Sequence, residues 1–173
     1  MTKLFDESLA LKHVTRAGWL RAGISTPETV AAHSWGVAWL VMNHCPDNLN
    51  IAQALKLALV HDLPEVFAGD ITPHDGISSA EKAELEVDAA RRLFDGRPDL
   101  LDLWKEYPAA KTPEALFVKE CDALDMGLQA IRYAQEYGVD TSEFVTSARA
   151  KLRTPALLTI LEEASEIGRL ESE

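Results

Sequence analysis

The stretch TPEALFVKECDALDMGLQAIRYAQEYG, residues 112–138, carries the clearest indication of the fold. Thr112 places a capping hydroxyl directly before Pro113, and proline suits the first turn of a helix because its fixed φ is already helical. The pair Tyr137-Gly138 marks the other end. The pattern predicts one long helix over residues 113–137.

Similar start signals recur along the chain and predict an all-α fold. Thr26-Pro27-Glu28 and Thr154-Pro155 repeat the hydroxyl and proline pair, while Asn50 and Ser78 open segments with the spacing of capping boxes. Alternating β-branched runs, which are typical of strands, are absent from the sequence. We predict helices over residues 5–14, 27–45, 51–62, 79–95, 98–106, 113–137, 141–151 and 155–170.

Length and composition fit one packed domain over residues 1–173. Hydrophobic residues make up 47% of the chain and charged residues 26%, which argues against disorder and coiled coil. The formal charge of -11 disfavours binding to nucleic-acid polymers and to anionic membranes. Apolar stretches are too short for a membrane span, and the start lacks the pattern of a signal peptide. With no CxxC pair at Cys45 or Cys121, we expect a cytoplasmic protein with both thiols reduced and buried.

Two predicted helices, 27–45 and 51–62, are apolar on nearly all sides, so we expect them to be central. The segment 79–95 has one apolar stripe and a charged opposite face. We therefore expect that helix to lie outside.

Four ionisable residues lie where these patterns favour apolar ones. His33 lies on the apolar row of the helix 27–45, and Asp122 lies on an apolar row of the helix 113–137. His61 and Asp62 directly follow the apolar run that ends at Val60. Burying a charge is costly unless it is paired or coordinates a metal ion. Two imidazoles and two carboxylates on three central helices indicate a metal site with two nitrogen and two oxygen ligands.

Each of these residues also has a structural alternative. The histidines could be hydrogen-bonded core residues, and Asp62 could cap a new helix with Glu65 in a D-x-x-E capping box. Asp122 could pair with Lys119 one turn earlier, and Asp125 competes with Asp122 for the role of ligand. Four coincidences on three buried helices favour a site, and the pattern alone leaves the choice between Asp122 and Asp125 open.

The set of His33, His61-Asp62 and Asp122 resembles the H…HD…D signature of the HD-domain metal-dependent phosphohydrolases. The string HDLPEVFAGDITP, residues 61–73, is similar to the branch that contains bacterial 5'-deoxynucleotidases. The resemblance covers about residues 11–138 and implies an HD-type helical bundle. Its other matching segments are Arg16-Ala17-Gly18-Trp19, Pro27-Glu28, Thr112-Pro113-Glu114-Ala115 and Val118-Lys119-Glu120-Cys121-Asp122.

The resemblance implies that His33, His61, Asp62 and Asp122 hold one divalent metal ion, manganese, cobalt or a similar ion. Four protein ligands leave two positions of an octahedron for water and a phosphate oxygen, which metal-assisted hydrolysis requires.

Four further residues are candidates for catalysis and substrate binding. The resemblance supports Glu65 in proton transfer or water orientation, and Asp70 near the sugar or the attacking water. Arg16 is the candidate phosphate clamp, because a guanidinium offers two parallel donors, and Trp19 is a candidate wall of the sugar or base pocket. Each also has a structural alternative. Glu65 could belong to the capping box, and Asp70 could form an Asx turn before Pro73. Arg16 could be a solvated surface residue, and Trp19 could be a core residue.

These inferences predict an enzyme that hydrolyses deoxynucleoside 5'-monophosphates to deoxynucleoside and phosphate. The first alternative is a deoxynucleoside triphosphate (dATP-type) triphosphohydrolase with the same metal site, whose pocket mouth near Arg16, Lys56 and Lys119 would accept three phosphates. The second is a noncatalytic nucleotide-binding HD domain. The resemblance also implies a homodimer, for which the segments 79–95 and 155–170 are candidate surfaces.

Overall fold

The computed structural model describes residues 3–170, which form helices joined by short connections. Over this range there is no β-strand, and the only isolated β-bridge joins Thr15 to Thr29. No helix in it is long and apolar enough to cross a membrane. The α-helices are α1 Lys3–Leu9, α2 Ala17–Arg21, α3 Val30–His44, α4 Ile51–Val60, α5 Glu65–Ala68, α6 Ser79–Leu93, α7 Pro98–Ala109, α8 Pro113–Tyr137, α9 Ser142–Lys151 and α10 Pro155–Leu170.

The all-α prediction is confirmed, and three helix starts form as the sequence indicates. Thr112 and Asn50 each accept a hydrogen bond from the backbone N–H three residues on, at 3.2 and 3.1 Å. Ser78 and Glu81 form the reciprocal bonds of a capping box. The assignment of residues 1–173 to one domain stays a prediction, and residues 1–2 and 171–173 lie outside the described range.

The predicted start of α3 at residue 27 is wrong. The cap is Thr29, whose hydroxyl accepts from the N–H of Ala32 at 3.2 Å, whereas the Thr26 hydroxyl bonds to Tyr137. The chain before Val30 is extended because it pairs with the segment around Thr15. Long-range pairing therefore overrides the local proline signal.

Other boundaries differ from the predicted ones, and two short α-helices and a 3-10 helix over Pro73–Asp75 were not predicted. Helix 5–14 divides into α1 and a 3-10 helix over Ala10–His13, helix 51–62 ends at Val60, and helix 98–106 continues to Ala109. The short helices α2 and α5 follow Arg16 and Pro64.

The helix α8 is the centre of the bundle and packs against α3, α4, α7, α9 and α10. Val37 of α3, Leu57 of α4 and Leu124 of α8 are fully buried in the shared core. At Gly127 of α8 an added Cβ would lie only 2.8 Å from the Cβ of Ala148. The absence of a side chain there lets α9 approach closely.

The helix α3 is central along most of its surface, but one face is open to solvent. Trp35, Trp39 and Met42 are 68%, 50% and 50% exposed. The two indoles stack with ring centroids 6.2 Å apart and planes 8° from parallel. Part of the apolar surface of this helix, which we expected to be central, therefore lies outside the core.

A candidate metal centre between the central helices

The structure brings the four predicted ligands together where α3, α4 and α8 meet. His33 lies on α3, Asp122 lies on α8, and His61 and Asp62 follow the end of α4. Oδ2 of Asp62 lies 3.2 Å from Nε2 of His61 and 3.7 Å from Nε2 of His33. Oδ1 of Asp122 lies 3.2 Å from Nε2 of His33. Both Nε2 atoms therefore face carboxylate oxygens.

The Nδ1 atom of each imidazole, on the side of the ring away from the cluster, contacts an oxygen atom. Nδ1 of His61 donates a hydrogen bond to the carbonyl oxygen of Ala58 at 2.8 Å, which leaves Nε2 directed at the cluster. Nδ1 of His33 lies 2.7 Å from Oδ2 of Asp125. Asp125, the predicted competitor of Asp122, thus contacts the opposite side of the His33 ring. Such partners fix the direction of a ligating imidazole.

This donor set fits a divalent metal ion. Among residues 3–170, the Nε2 atoms of His33 and His61 are buried side-chain atoms without a hydrogen-bond partner. A buried polar atom without a partner is costly, and native proteins contain few of them. Ligand atoms of His33, His61 and Asp62 all lie within 4.8 Å of one another. Imidazole nitrogens combined with carboxylate oxygens suit the first-row divalent transition metals.

The electrostatics of the cluster also favour a cation. Burial and the charge of Arg16 lower the pKa of His33, but Asp122 and Asp125 outweigh them and raise it to about 10. Burial raises the pKa of Asp62, yet His61 and His33 bring it down to about 2. The pKa of Asp122 is lowered too, chiefly by its contact with His33 and against the effect of burial. The carboxylates thus stay ionised and favour positive charge between them.

Glu65 lies beside this cluster, and its pKa is shifted in the opposite direction to those of Asp62 and Asp122. Burial first, and then the charges of Asp62 and Asp70, raise the pKa of Glu65 to about 10. Its Oε2 is buried and has no hydrogen-bond partner among residues 3–170. The capping-box alternative for Asp62 and Glu65 is wrong, because the N-cap residue of α5 is Pro64 and no side chain caps the helix.

Arg16 faces the cluster from the segment before α2. Its Nη1 lies 3.7 Å from Oδ2 of Asp62, and its side chain is only 14% exposed. Burial alone would lower the pKa of Arg16, but the negative charges of Asp62, Asp70 and Asp122 outweigh this effect, so the net pKa is raised. Surface solvation is therefore the wrong account of this residue.

Asp70 connects the loop after α5 to the start of α2. Its Oδ2 accepts a hydrogen bond from the backbone N–H of Ala17 at 2.6 Å, in place of the local Asx turn considered above. Nearby, the Arg21 guanidinium bonds to Thr72 and Asp75 of the same loop. These contacts hold the loop against the segment that carries Arg16.

Two cavities adjoin the cluster and share part of their walls. A metal-side cavity of about 300 Å³ contains His61, Asp62 and Glu65, and a second cavity of about 550 Å³ extends past Trp19 to α9. Both are lined by Arg16, Asp70, Lys82 and Asp122.

Trp19 serves as core and as cavity wall at once. It is 1% exposed, its Nε1 donates to Glu28 at 3.0 Å, and its ring packs against Tyr133 and Phe144. The same side chain lines the second cavity. Lys56, by contrast, lines neither cavity and does not form the predicted pocket mouth.

Tyr107 is a site residue that the sequence reasoning missed. Its hydroxyl donates to Oδ2 of Asp122 at 2.6 Å, and its ring centroid lies 5.0 Å from that of His61. The ammonium of Lys119 lies 4.0 Å from the centre of the Tyr107 ring, so Lys119 is not the partner of Asp122 proposed as an alternative. The signal was hidden because the predicted helix ended at residue 106, one position short of the tyrosine.

Comparison with known proteins assigns this arrangement to a family. The sequence model of the HD domain matches residues 9–159. The chain is 38% identical to 5'-deoxynucleotidase HDDC2 of Danio rerio over 163 residues, which span 90% of this chain and 82% of the relative. It is 34% identical to 5'-deoxynucleotidase HDDC2 of Homo sapiens over 160 residues, 88% of this chain and 78% of the relative.

Solved structures agree with this assignment. A protein from Pyrococcus horikoshii OT3 superimposes with a TM-score of 0.82 at 30% identity, covering 96% of this chain and 99% of the other. A predicted metal-dependent phosphohydrolase from Magnetospirillum magnetotacticum MS-1 gives a TM-score of 0.72 at 26% identity, covering 98% and 91% of the two chains. The match over most of the chain, together with the convergence of His33, His61, Asp62 and Asp122, makes this protein a member of the HD domain family.

Proposed function

We propose that this chain hydrolyses deoxynucleoside 5'-monophosphates to deoxynucleoside and phosphate, with one divalent metal ion held by His33, His61, Asp62 and Asp122. The observation that carries the proposal is the pair of buried Nε2 atoms that face two carboxylates without a hydrogen-bond partner in the described range. The relatives named 5'-deoxynucleotidase support the choice of substrate.

The donor set favours manganese, cobalt or a similar first-row ion over magnesium, because imidazole nitrogens contribute half of the ligands. When bound, such an ion polarises a phosphoryl oxygen and lowers the pKa of water. The chain's part is to direct the Nε2 atoms of both imidazoles toward the ion. The Ala58 carbonyl oxygen does so for His61 by accepting a hydrogen bond from Nδ1.

Arg16 and Glu65 supply the two further functions that hydrolysis of a phosphate ester needs. The buried Arg16 guanidinium can donate two parallel hydrogen bonds to the phosphate oxygens beside Asp62. Burial and the neighbouring carboxylates of Asp62 and Asp70 raise the pKa of Glu65, which favours its protonated form. We assign it the transfer of that proton to the departing 5'-oxygen of the sugar, so that the products are phosphate and a neutral hydroxyl. Asp70 acts as a positioning residue through Ala17.

A product assay tests this function and separates it from both alternatives. The purified chain, loaded with manganese or cobalt, is incubated with the four deoxynucleoside monophosphates and with the matching triphosphates. We expect inorganic phosphate and deoxynucleoside from the monophosphates. Release of inorganic triphosphate would instead identify a triphosphohydrolase, and nucleotide binding without any product would identify a noncatalytic domain.

Metal analysis tests the ligands independently of activity. We expect about one transition-metal ion per chain, because the buried Nε2 atoms of His33 and His61 have no hydrogen-bond partner among the described residues and a cation would satisfy them. His61→Ala or Asp122→Ala should abolish metal binding, whereas Asp88→Ala on the exposed face of α6 should not. A chain that binds neither manganese nor cobalt would overturn the metal site.

The proposal includes a homodimer in the cytoplasm. The exposed row of Trp35, Trp39 and Met42 supports self-association, since large exposed apolar side chains on one face mark interaction surfaces. Both cysteines are free, which suits a reducing compartment, although Cys45 is only half-buried and the expectation that it is buried is wrong. Light scattering of the purified chain tests the dimer, and cell fractionation tests the location.

A further inference from the structure

The helix α9 presents a polar row to the second cavity that the proposed chemistry does not use. Glu143, Ser147 and Lys151 follow one another at four-residue intervals, which places them on one face of the helix, and all three line the cavity. Another face of α9 is in the core through Ala148, and a third carries Arg149, which pairs with Glu162 on α10.

The three side chains of this row have no partner in the described part of the protein. Within residues 3–170, none of them makes a hydrogen bond or an ion pair, and all three are exposed to the cavity or to solvent. Other polar residues around the same cavity are engaged, such as Lys82 with the Ile71 carbonyl at 2.7 Å. The row on α9 is thus available to a ligand.

The row has a direction relative to the metal centre. At one end, the charge of Lys151 acts on Lys119, which lines the metal-side cavity. At the other end, Glu143 is next to Phe144, whose ring centroid lies 4.4 Å from that of Trp19. The row therefore runs from the metal side to an aromatic wall. Glu143 and Lys151 are eight positions apart, which corresponds to a rise of about 12 Å along the helix and is comparable to the length of an extended nucleotide.

Charge and wall chemistry decide which part of a nucleotide lies at which end. The metal side carries Arg16, and Lys119 and Lys151 add positive charge near it, so the phosphate belongs there. The carboxylate of Glu143 would repel a phosphate at the far end, whereas the aromatic and apolar wall suits a nucleobase. The base thus lies next to the only carboxylate of the row.

On the basis of the proposed function, we infer that α9 is the base-reading wall of the substrate pocket, with the Glu143 carboxylate accepting hydrogen bonds from N–H groups on the edge of the base. Guanine is the best match because its N1–H and its exocyclic amine offer two adjacent donors to the two carboxylate oxygens. Adenine, cytosine and thymine offer fewer adjacent donors.

The test compares substrates with and without a base. For the metal-loaded protein and for Glu143→Gln, kcat/KM is measured with dGMP and with 2-deoxyribose 5-phosphate. Gln keeps the shape but has one acceptor oxygen, so the preference for dGMP over the sugar phosphate should fall by about tenfold or more, as expected for loss of a charged hydrogen bond. Glu162→Gln, which removes an exposed carboxylate of α10, should leave the preference unchanged.

A binding measurement gives a second readout that does not need turnover. Calorimetry with deoxyguanosine, which lacks the phosphate, should show weaker binding to Glu143→Gln than to the unaltered protein. An unchanged substrate preference, or an equal fall for dGMP and for the sugar phosphate, would overturn base reading by Glu143. If the unaltered protein hydrolyses neither compound, the proposed function fails, and the calorimetry still decides whether Glu143 reads the base.

Discussion

Asp125 and Gly36 share a space that holds only one side chain. A Cβ on Gly36 would lie 2.8 Å from Cγ of Asp125 and would overlap its Oδ1, while the other oxygen of that carboxylate contacts Nδ1 of His33 at 2.7 Å. The bare surface of α3 at Gly36 therefore allows a carboxylate of α8 to reach behind an imidazole of α3.

The variant Asp125→Asn should weaken metal binding while the fold persists. The amide oxygen can still accept a hydrogen bond from Nδ1. It lacks the negative charge that makes the imidazole a stronger ligand for the metal ion, so we expect the affinity for the metal to fall by about 10- to 100-fold. Titration of the metal-free protein with manganese or cobalt measures this. Asp88→Asn on the surface of α6 is the control, and equal affinities for the two variants would contradict the role of Asp125.

The variant Gly36→Ala should destabilise the protein, although this exchange normally stabilises a helix. The added methyl group must displace Asp125, and overpacking of this kind costs about 1–3 kcal/mol of unfolding free energy. Urea denaturation provides the measurement. Gly18→Ala is a useful comparison because its Cβ would meet Phe144 at an ordinary 3.5 Å. A more stable Gly36→Ala would show that the carboxylate moves freely.

The variant Glu65→Gln should lose turnover and keep its metal. The amide preserves the shape but has no proton to transfer at neutral pH, so kcat should fall by about 10²- to 10⁴-fold. Phosphate release from a deoxynucleoside monophosphate measures the loss, with Glu84→Gln on the exposed face of α6 as the control. Turnover close to that of the unaltered protein would reduce Glu65 to a buried structural residue.

The variant Arg16→Lys should separate charge from geometry. Lysine keeps the positive charge but cannot offer two parallel donors, so kcat/KM should fall by at least about tenfold, or about 1.4 kcal/mol of transition-state stabilisation. Steady-state kinetics shows whether the loss lies in KM or in kcat. Metal content should not change, and Arg91→Lys on α6 should behave as the unaltered protein. An undiminished kcat/KM would show that Arg16 does not bind the phosphate through two parallel donors.

The long helices could be predicted because their starts are local. The side chains of Thr112, Asn50 and Ser78 bond within three residues of themselves, so the signal is contained in the sequence around each start. The helices α2 and α5, with five and four residues, are too short to show periodicity. The segment at α2 is held by Asp70, 53 residues away from its partner Ala17.

The candidate site shows the same division. His33 and Asp122 could be singled out because an ionisable side chain on an apolar row is conspicuous in the sequence. Tyr107 could not, because a tyrosine near a helix end looks like ordinary core. The contact of Asp125 with the reverse side of His33 depends on how α3 and α8 cross at Gly36, which no local pattern records.

The four tryptophans fall into two optical classes. Trp35 and Trp39 are exposed on α3, whereas Trp19 and Trp104 are buried at 1% and 3%, and Nε1 of Trp104 donates to the carbonyl oxygen of His61. Exposed indoles emit at longer wavelengths and are accessible to iodide, while buried ones are protected. Iodide therefore quenches the fluorescence of Trp35 and Trp39. The remaining emission, at shorter wavelength, comes from Trp104 beside the metal centre and from Trp19 beside the second cavity.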